Sequence, residues 1–214
     1  FPLDSLYNNS QSVGSVALGG TIKTDQNQPV AQVKVNTSSG NFVLSNANGA
    51  FSLNNQAGCT DQILRPYANK NWLNGVSTYD LVLISKHILG LDTLDTPYRM
   101  IAADANRSGS ITTFDIVSLR KLILGIDTTI QINTSWRFVP SNFSFPNALN
   151  PFETAFPDSI LVSPQGTDQA GLHFVGLKVG DVNGSAIASS AQVADARTDQ
   201  TWSLWMKDTL AAAG

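Results

Sequence analysis

Oxygen-bearing side chains alternate along the polar segment 104–115, and this spacing predicts a calcium site. Counted from the first acid of the segment, positions 1, 3, 5, 7, 9 and 12 are Asp104, Asn106, Ser108, Ser110, Thr112 and Asp115. A hard cation such as Ca²⁺ needs many oxygen ligands, and alternate residues of a tight loop can converge on one ion. Gly109 at position 6 permits the sharp turn that such a loop requires. We refer to residues 104–115 as loop 2.

The same unit occurs earlier in the chain, because residues 69–90 align without a gap to residues 104–125 at an offset of 35. An internal repeat shows which unit was duplicated, and here it is a polar loop followed by an apolar helix. Each predicted helix ends at a glycine, Gly90 or Gly125, a common C-terminal stop. The acid at position 12 falls in the first turn of the helix, where the helix dipole favours negative charge.

The first copy, residues 69–80, is poorer in charge, and we refer to it as loop 1. Asp80 is its only carboxylate. Because calcium affinity falls with the number of charged ligands, loop 1 should bind weakly or recruit an acid from elsewhere. We therefore expect one firm calcium site and a second one in loop 1. The oxygen donors and turn residues that loop 1 offers are Asn69, Asn71, Asn74, Gly75, Ser77 and Asp80.

A third fragment, residues 180–185, begins like a calcium loop with Asp181 and Asn183 but has no acid at position 12. Its residue types favour a strand end followed by an Asx-turn. The alternative hypothesis is that Asp181 or Asn183 reaches the charge-poor loop 1 or caps the module.

Residues 75–90 and 102–125 resemble the calcium-loop and helix pairs of type I dockerins, in particular the dockerin-like modules of large secreted bacterial surface proteins. The resemblance implies a compact pair of loop–helix repeats, an extracellular or cell-surface location, and docking onto a cohesin partner. It places the partner contacts on Thr78, Tyr79, Lys86, Thr113, Phe114 and Lys121.

The segments on both sides of the repeat are rich in β-branched and aromatic residues between turn signals, which predicts strands. Residues 19–35 and 46–53 also resemble carboxypeptidase-regulatory-like or transthyretin-like β-sandwiches. We predict a mainly β fold, an antiparallel β-sandwich into which the small α unit is inserted; two domains in series are the alternative. The predicted boundaries are an arm (1–12), the β-sandwich (13–67 and 130–183), the dockerin-like unit (68–129), a linker (184–198) and an amphipathic helix (199–214).

The C-terminal segment predicts a helix with one apolar face, formed by Trp202, Trp205, Met206 and Leu210. Such a helix either folds back on its own domain or binds a groove on a partner.

Composition excludes several classes of function. Among 214 residues with net charge −3, no apolar run is long enough to span a membrane. The 13 basic residues are scattered, which argues against nucleic-acid binding. The single cysteine, Cys59, has no histidine placed near it in the manner of a nucleophile. His87 aligns with Leu122 of the second repeat, which favours a packing role. We therefore expect no enzymatic activity.

These features predict a calcium-stabilised structural or adhesive subunit of an extracellular bacterial surface assembly. Its partner would be a protein, either further copies of the chain, as in a filament, or a cohesin-like domain. An accessory domain of a secreted glycan-degrading enzyme is the third possibility. The start at Phe1, without methionine, is expected of a processed chain or a fragment.

Overall fold

The computed structural model describes residues 14–58 and 60–189, which form eight strands and three short helices. The first five strands are β1 (Ser15–Lys23), β2 (Lys34–Thr37), β3 (Phe42–Leu44), β4 (Ala50–Ala57) and β5 (Gln62–Tyr67). The helices α1 (Thr78–Ile88), α2 (Pro97–Ala103) and α3 (Thr113–Ile123) follow. The chain then returns to β structure in β6 (Trp136–Pro140), β7 (Ile160–Val162) and β8 (Phe174–Lys178).

The strands form two four-stranded sheets, ordered β4-β1-β8-β6 and β3-β2-β5-β7. The chain is therefore β-rich with a small helical part, as the predicted fold class has it. The prediction that the sheets are antiparallel throughout is wrong at one pair, since β1 and β8 are parallel, with Ile22 opposite Phe174. A tight hairpin forces neighbouring strands to be antiparallel, whereas a long connection can deliver a strand in either direction. The connection from β1 to β8 is of the second kind.

The strands that follow the helices complete both sheets: β6 and β8 join the sheet of β1, and β7 pairs with β5. The β segments before and after the helices therefore share one core. Along β5, buried and exposed residues alternate, which is the period-two pattern of a strand with one face inward. The residues at the centre of this core include Leu18, Ile22, Val35, Leu64, Phe138 and Phe174.

The helices are fixed by their first turns. In α1 and α3, Ser77 and Thr112 act as N-caps. The carboxylates of Asp80 and Asp115 accept a hydrogen bond from the backbone amide of the respective cap residue, so both helices begin with a capping box. Helix α2 begins at Pro97 after the N-cap Thr96, and proline suits the first position of a helix. The apolar faces of the helices meet in a second core, which also takes in Val179 and Val182 from the chain after β8.

Residues 184–189, predicted as the start of a linker, instead pack against the body of the protein. Ala188 is 7% exposed within the sandwich core, and its carbonyl accepts a hydrogen bond from the Ala31 amide. Alanine and serine are common in linkers, but their small side chains are also easily buried at a close approach of two segments. The rest of the predicted linker (190–198), the arm (1–12) and the predicted C-terminal helix (199–214) lie outside the described residues.

None of the helices in the described ranges is both long enough and apolar enough to cross a membrane.

Candidate metal centre

Loop 2 folds around the carboxylate of Asp104. Its Oδ1 accepts a hydrogen bond from the Ser108 amide at 2.8 Å, and its Oδ2 accepts one from the Gly109 amide at 3.1 Å. The Asn106 side-chain oxygen also accepts from the Ser108 amide, at 3.0 Å. The Ser108 hydroxyl donates to the Ser110 carbonyl at 3.2 Å. Hydrogen bonds within the loop thus connect positions 1, 3, 5 and 7 without a bound ion.

Asp115 closes loop 2 from the first turn of α3. Its Oδ1 accepts from the Asn106 amide at 3.0 Å, and its Oδ2 accepts from the Thr112 amide at 2.8 Å and from the Thr112 hydroxyl at 3.2 Å. The residues predicted for this site are therefore brought together.

The carboxylate of Asp80, at the equivalent point of α1, is held by two separate segments of the chain. Its Oδ2 accepts from the amide and the hydroxyl of Ser77, at 2.9 and 2.8 Å, as Asp115 accepts from Thr112. Its Oδ1 accepts from the amides of Val182 and Asn183, at 3.0 and 3.3 Å. Val182 lies 102 residues further along the chain.

The segment 181–186 repeats the bonds that Asp104 organises in loop 2. Asp181 Oδ1 accepts from the Ser185 amide at 3.1 Å, and its Oδ2 accepts from the Ala186 amide at 2.7 Å. The Asn183 side-chain oxygen accepts from the Ser185 amide at 2.9 Å. The Ser185 hydroxyl donates to the Gly75 carbonyl at 3.0 Å, as Ser108 does to Ser110.

A second loop of the same design is therefore assembled from residues 181–186 and residues 75–80, and we refer to this arrangement as the split site. Positions 1, 3 and 5 come from the first segment and positions 7, 9 and 12 from the second. Its members, in that order, are Asp181, Asn183, Ser185, Gly75, Ser77 and Asp80.

At Gly75 the backbones of the two segments approach each other closely. A Cβ atom built on Gly75 would lie 2.6 Å from the Ala186 amide nitrogen, and the residue has a φ of +76°. Both the close approach and the left-handed backbone favour glycine. The split site therefore depends on a residue without a side chain at this point.

Of the asparagines that the alignment placed at positions 1, 3 and 6 of loop 1, Asn69 and Asn74 form hydrogen bonds to other segments of the chain. The Asn69 side-chain oxygen accepts from the Ser135 amide at 3.1 Å, and Asn71 has a left-handed φ of 51°. The Asn74 side chain forms two hydrogen bonds to the backbone of Ile187, at 3.0 and 3.1 Å. Asn69 and Asn74 thus hold neighbouring segments in place, and residues 181–185 supply the first half of the loop in their stead.

Both sites concentrate negative charge in the interior. The exposed fractions are 0% for Asp80 and Asp115, 1% for Asp104 and 7% for Asp181. Burial raises the pKa of Asp104 and of Asp181, and the second acid of each site, Asp115 or Asp80, raises it further, while backbone hydrogen bonds act in the opposite direction. A buried carboxylate is costly unless a cation compensates it.

Two basic side chains lie near these acids. Lys178 is buried and donates to the carbonyls of Trp72, at 2.7 Å, and Val179, at 3.2 Å. Burial lowers the pKa of Lys178 to about 7, against the opposing effect of Asp181 and Asp80. On the loop 2 side, Nη1 of Arg137 lies 3.7 Å from Oδ2 of Asp104.

The donor set of each site fits a hard divalent cation. Each loop offers two carboxylates, one amide oxygen, two hydroxyls and one backbone carbonyl, the oxygen ligands that Ca²⁺ prefers. Within residues 14–58 and 60–189, no group of three or more His, Cys, Asp or Glu side chains could hold a metal. Each site has only two acids, so the neutral oxygens would have to complete the coordination.

The partner contacts that the resemblance places on the repeat lie on α1 and α3, and two of them, Thr78 and Lys86, line the groove between these helices. All six of them, Thr78, Tyr79, Lys86, Thr113, Phe114 and Lys121, are exposed. A groove of about 500 Å³ runs between the two helices. Large exposed apolar residues occur in pairs at the repeat offset of 35, namely Tyr79 with Phe114, Val82 with Val117 and Leu89 with Leu124. We refer to these exposed residues as the α1/α3 face.

Sequence reasoning missed Ser185 as a member of the split site. A signal was present, because the Asp-x-Asn-x-Ser pattern of residues 104–108 recurs at residues 181–185 at a constant offset of 77. The predicted partner residues Trp202, Trp205, Met206 and Leu210 lie outside the described residues.

Comparisons with protein-family models, curated proteins and solved structures give no match. The dockerin-like reading of the chain therefore rests on its own motifs and contacts.

Proposed function

We propose that the chain is a non-enzymatic, calcium-stabilised structural or adhesive module of an extracellular bacterial surface assembly, acting through protein–protein contacts. The observation that carries this proposal is the split site. Residues 181–186 and 75–80, distant in sequence, reproduce the hydrogen-bond pattern of the continuous loop 2. Two unrelated turns would have no reason to share this pattern, whereas two sites for the same ion would.

Charge supports the same conclusion. Two Ca²⁺ ions would carry the positive charge that balances the four buried acids, Asp80, Asp104, Asp115 and Asp181. An ion that binds only the folded state stabilises it by mass action, by about 2.7 kcal/mol at a free concentration one hundred times Kd. In the split site this stabilisation would join α1 to the chain that follows β8.

The α1/α3 face supports a role in protein contacts. Its paired apolar residues are exposed, including Phe114 at 72% and Leu89 at 70%. Contiguous exposed apolar surface commonly marks a binding site. We propose that this face contacts further copies of the chain. Docking onto a cohesin-like domain is the second candidate, and it is favoured by the two-fold repetition of this face.

Calcium titration by calorimetry tests the metal part of the proposal. We expect two sites in the chelator-treated chain, one of them lost in Asp181→Asn and the other in Asp115→Asn. Asp92→Asn removes the same charge from an exposed loop and serves as the control. An Asp181→Asn variant that keeps both sites at unchanged affinity would contradict the split site.

Light scattering and electron microscopy in calcium test the assembly part. Oligomers or fibres that are lost in the double variant Tyr79→Ser, Phe114→Ser would support self-assembly through the α1/α3 face. A monomer at all concentrations that binds a cohesin domain would favour the docking alternative. A chain that neither self-associates nor binds a cohesin domain would refute both the self-assembly proposal and the docking alternative.

A further inference from the structure

A cleft of about 440 Å³ lies where both sheets meet loop 2, and it gathers three of the chain's six arginines. Arg65 comes from β5, Arg107 from position 4 of loop 2, and Arg137 from β6. The chain as a whole carries a net charge of −3, so this concentration of guanidinium groups is a local feature. Clefts of this size at the junction of structural units are common places for small ligands.

Arg137 is the most buried of the three. Its guanidinium lies over the ring of Phe156 at 5.0 Å, and its side chain is only 13% exposed. Nη1 is buried and has no hydrogen-bond partner among the described residues, although Asp104 lies 3.7 Å away. Contact with the ring restricts the guanidinium, and a restricted guanidinium is preorganised to donate hydrogen bonds to a carboxylate.

The rim of the cleft offers different chemistry. Arg65 and Asp158 form an ion pair at 3.3 Å, and both side chains are about half exposed. The ring of Tyr67 is 49% exposed. Arg107 is exposed as well. The rim therefore combines guanidinium donors, one carboxylate acceptor and an apolar ring face.

We propose that this cleft binds a carboxylated saccharide, that is, a sugar of the uronic acid class. The arginines would hold the sugar carboxylate, the exposed ring of Tyr67 would contact the apolar face of the sugar ring, and Asp158 would accept hydrogen bonds from sugar hydroxyls. An inorganic anion would bring no hydroxyl donor to Asp158, whose partner in the structure is Arg65, and no apolar face to the exposed ring of Tyr67. A neutral sugar would bring no acid to Arg107, which forms no ion pair among the described residues, whereas Arg65 pairs with Asp158 and Arg137 lies near Asp104. This inference goes beyond the proposed function and does not depend on it.

Calorimetry with the galacturonic acid trimer tests the proposal, with the methyl ester of the same trimer as the matched uncharged ligand. The full chain is used at one fixed calcium concentration for both ligands. We expect the acid to bind at least about tenfold more tightly than the ester, because charge-assisted hydrogen bonds to the arginines are lost in the ester. No binding of the acid, or equal binding of acid and ester, would overturn the proposal.

Variants then locate the site. Arg65→Gln and Arg107→Asn change exposed side chains, and asparagine tolerates the left-handed φ of 56° at residue 107. Each is expected to weaken binding of the acid about tenfold. Arg120→Gln, on α3 outside the cleft, removes the same charge and should leave the affinity unchanged. Unchanged affinity in the double variant Arg65→Gln, Arg107→Asn would refute the assignment.

Competitors separate the saccharide from other anions. In a displacement assay with a labelled galacturonic acid trimer, two competitors are compared with the unlabelled trimer: sodium sulfate at matched ionic strength and an acidic tripeptide. Each should displace the labelled trimer at least about tenfold less effectively than the unlabelled trimer does. Equal displacement by sulfate would show that only the anion is recognised, and equal displacement by the peptide would assign the cleft to peptides. Either result would sink the saccharide proposal.

Discussion

Replacing Gly75 by alanine should destabilise the protein far more than replacing Gly109, although both glycines lie in calcium-type loops with nearly the same backbone conformation. Their φ angles are +76° and +77°. An alanine in this left-handed region costs about 1 kcal/mol at either position. The Cβ of the new residue meets nothing within 4 Å at Gly109, whereas at Gly75 it meets the backbone of Ala186 at 2.6 Å.

The overlap at Gly75 adds about 2 kcal/mol, the usual cost of forcing an extra carbon into a packed contact. The total is about 3 kcal/mol for Gly75→Ala, against about 1 kcal/mol for Gly109→Ala. For a chain of this size, 1 kcal/mol corresponds to a Tm change of about 3 °C. We therefore expect the Tm to fall by about 9 °C and about 3 °C, respectively.

Differential scanning calorimetry of both variants, in chelator and in excess calcium, measures these shifts. Because Gly109→Ala carries the backbone cost alone, the difference between the variants isolates the contact of residues 181–186 with residues 75–80. In calcium the gap should widen, since the displaced Ala186 belongs to the segment that would complete the split site. Equal Tm changes in the two variants would refute the reasoning behind this site.

Three further measurements follow from the same contacts. Burial lowers the pKa of Lys178 to about 7 from 10.5, so between these values the unfolded chain holds a proton that the folded chain has released. The stability of the calcium-free protein in urea should rise with pH over this window by up to about 1.4 kcal/mol per unit, and an unchanged slope in Lys178→Met would disprove this origin. Since the pKa values of Asp104 and Asp181 are raised, calcium titrations on acidification should lose affinity at a higher pH than an ordinary aspartate site would, and a loss confined to the ordinary range would argue against these ligands. Thr96→Ala removes the N-cap of α2 and should cost about 1 kcal/mol in urea unfolding, with a change near zero counting against the cap.

The features that were predictable from sequence are those whose determinants lie close together in the chain. Loop 2 has its donors within residues 104–115, and the capping box of α3 belongs to the same segment. The N-cap of α2, Thr96, is adjacent to the proline that starts the helix. In each case a local pattern defines a local structure, so no knowledge of the tertiary fold is required.

Features that depend on distant segments were not predictable in the same way. The parallel pairing of β1 with β8 leaves no mark on either strand, because both read simply as buried β segments. The split site has a sequence marker, but it consists of only three matching residues in 181–185, and the described residues that follow, 186–189, form no helix. The alanines near residue 188 indicated a linker, while their burial depends on the position of β2 and its neighbours. The arginines of the cleft come from three elements and form no motif.

The split site also has a consequence for the order in which the protein folds. Loop 2 spans a dozen residues, so an ion bound there, as we propose, would be able to bind early and guide the start of α3. The bonds from Asp80 to Val182 and Asn183 instead span 102 and 103 residues, and the loop-closure entropy of this long stretch must be overcome first. During synthesis, which starts at the N-terminus, residues 75–80 would lack their partner segment until residue 186 has been made. The last ion to bind would then act as a latch on the finished molecule, slowing its unfolding more than it speeds its folding.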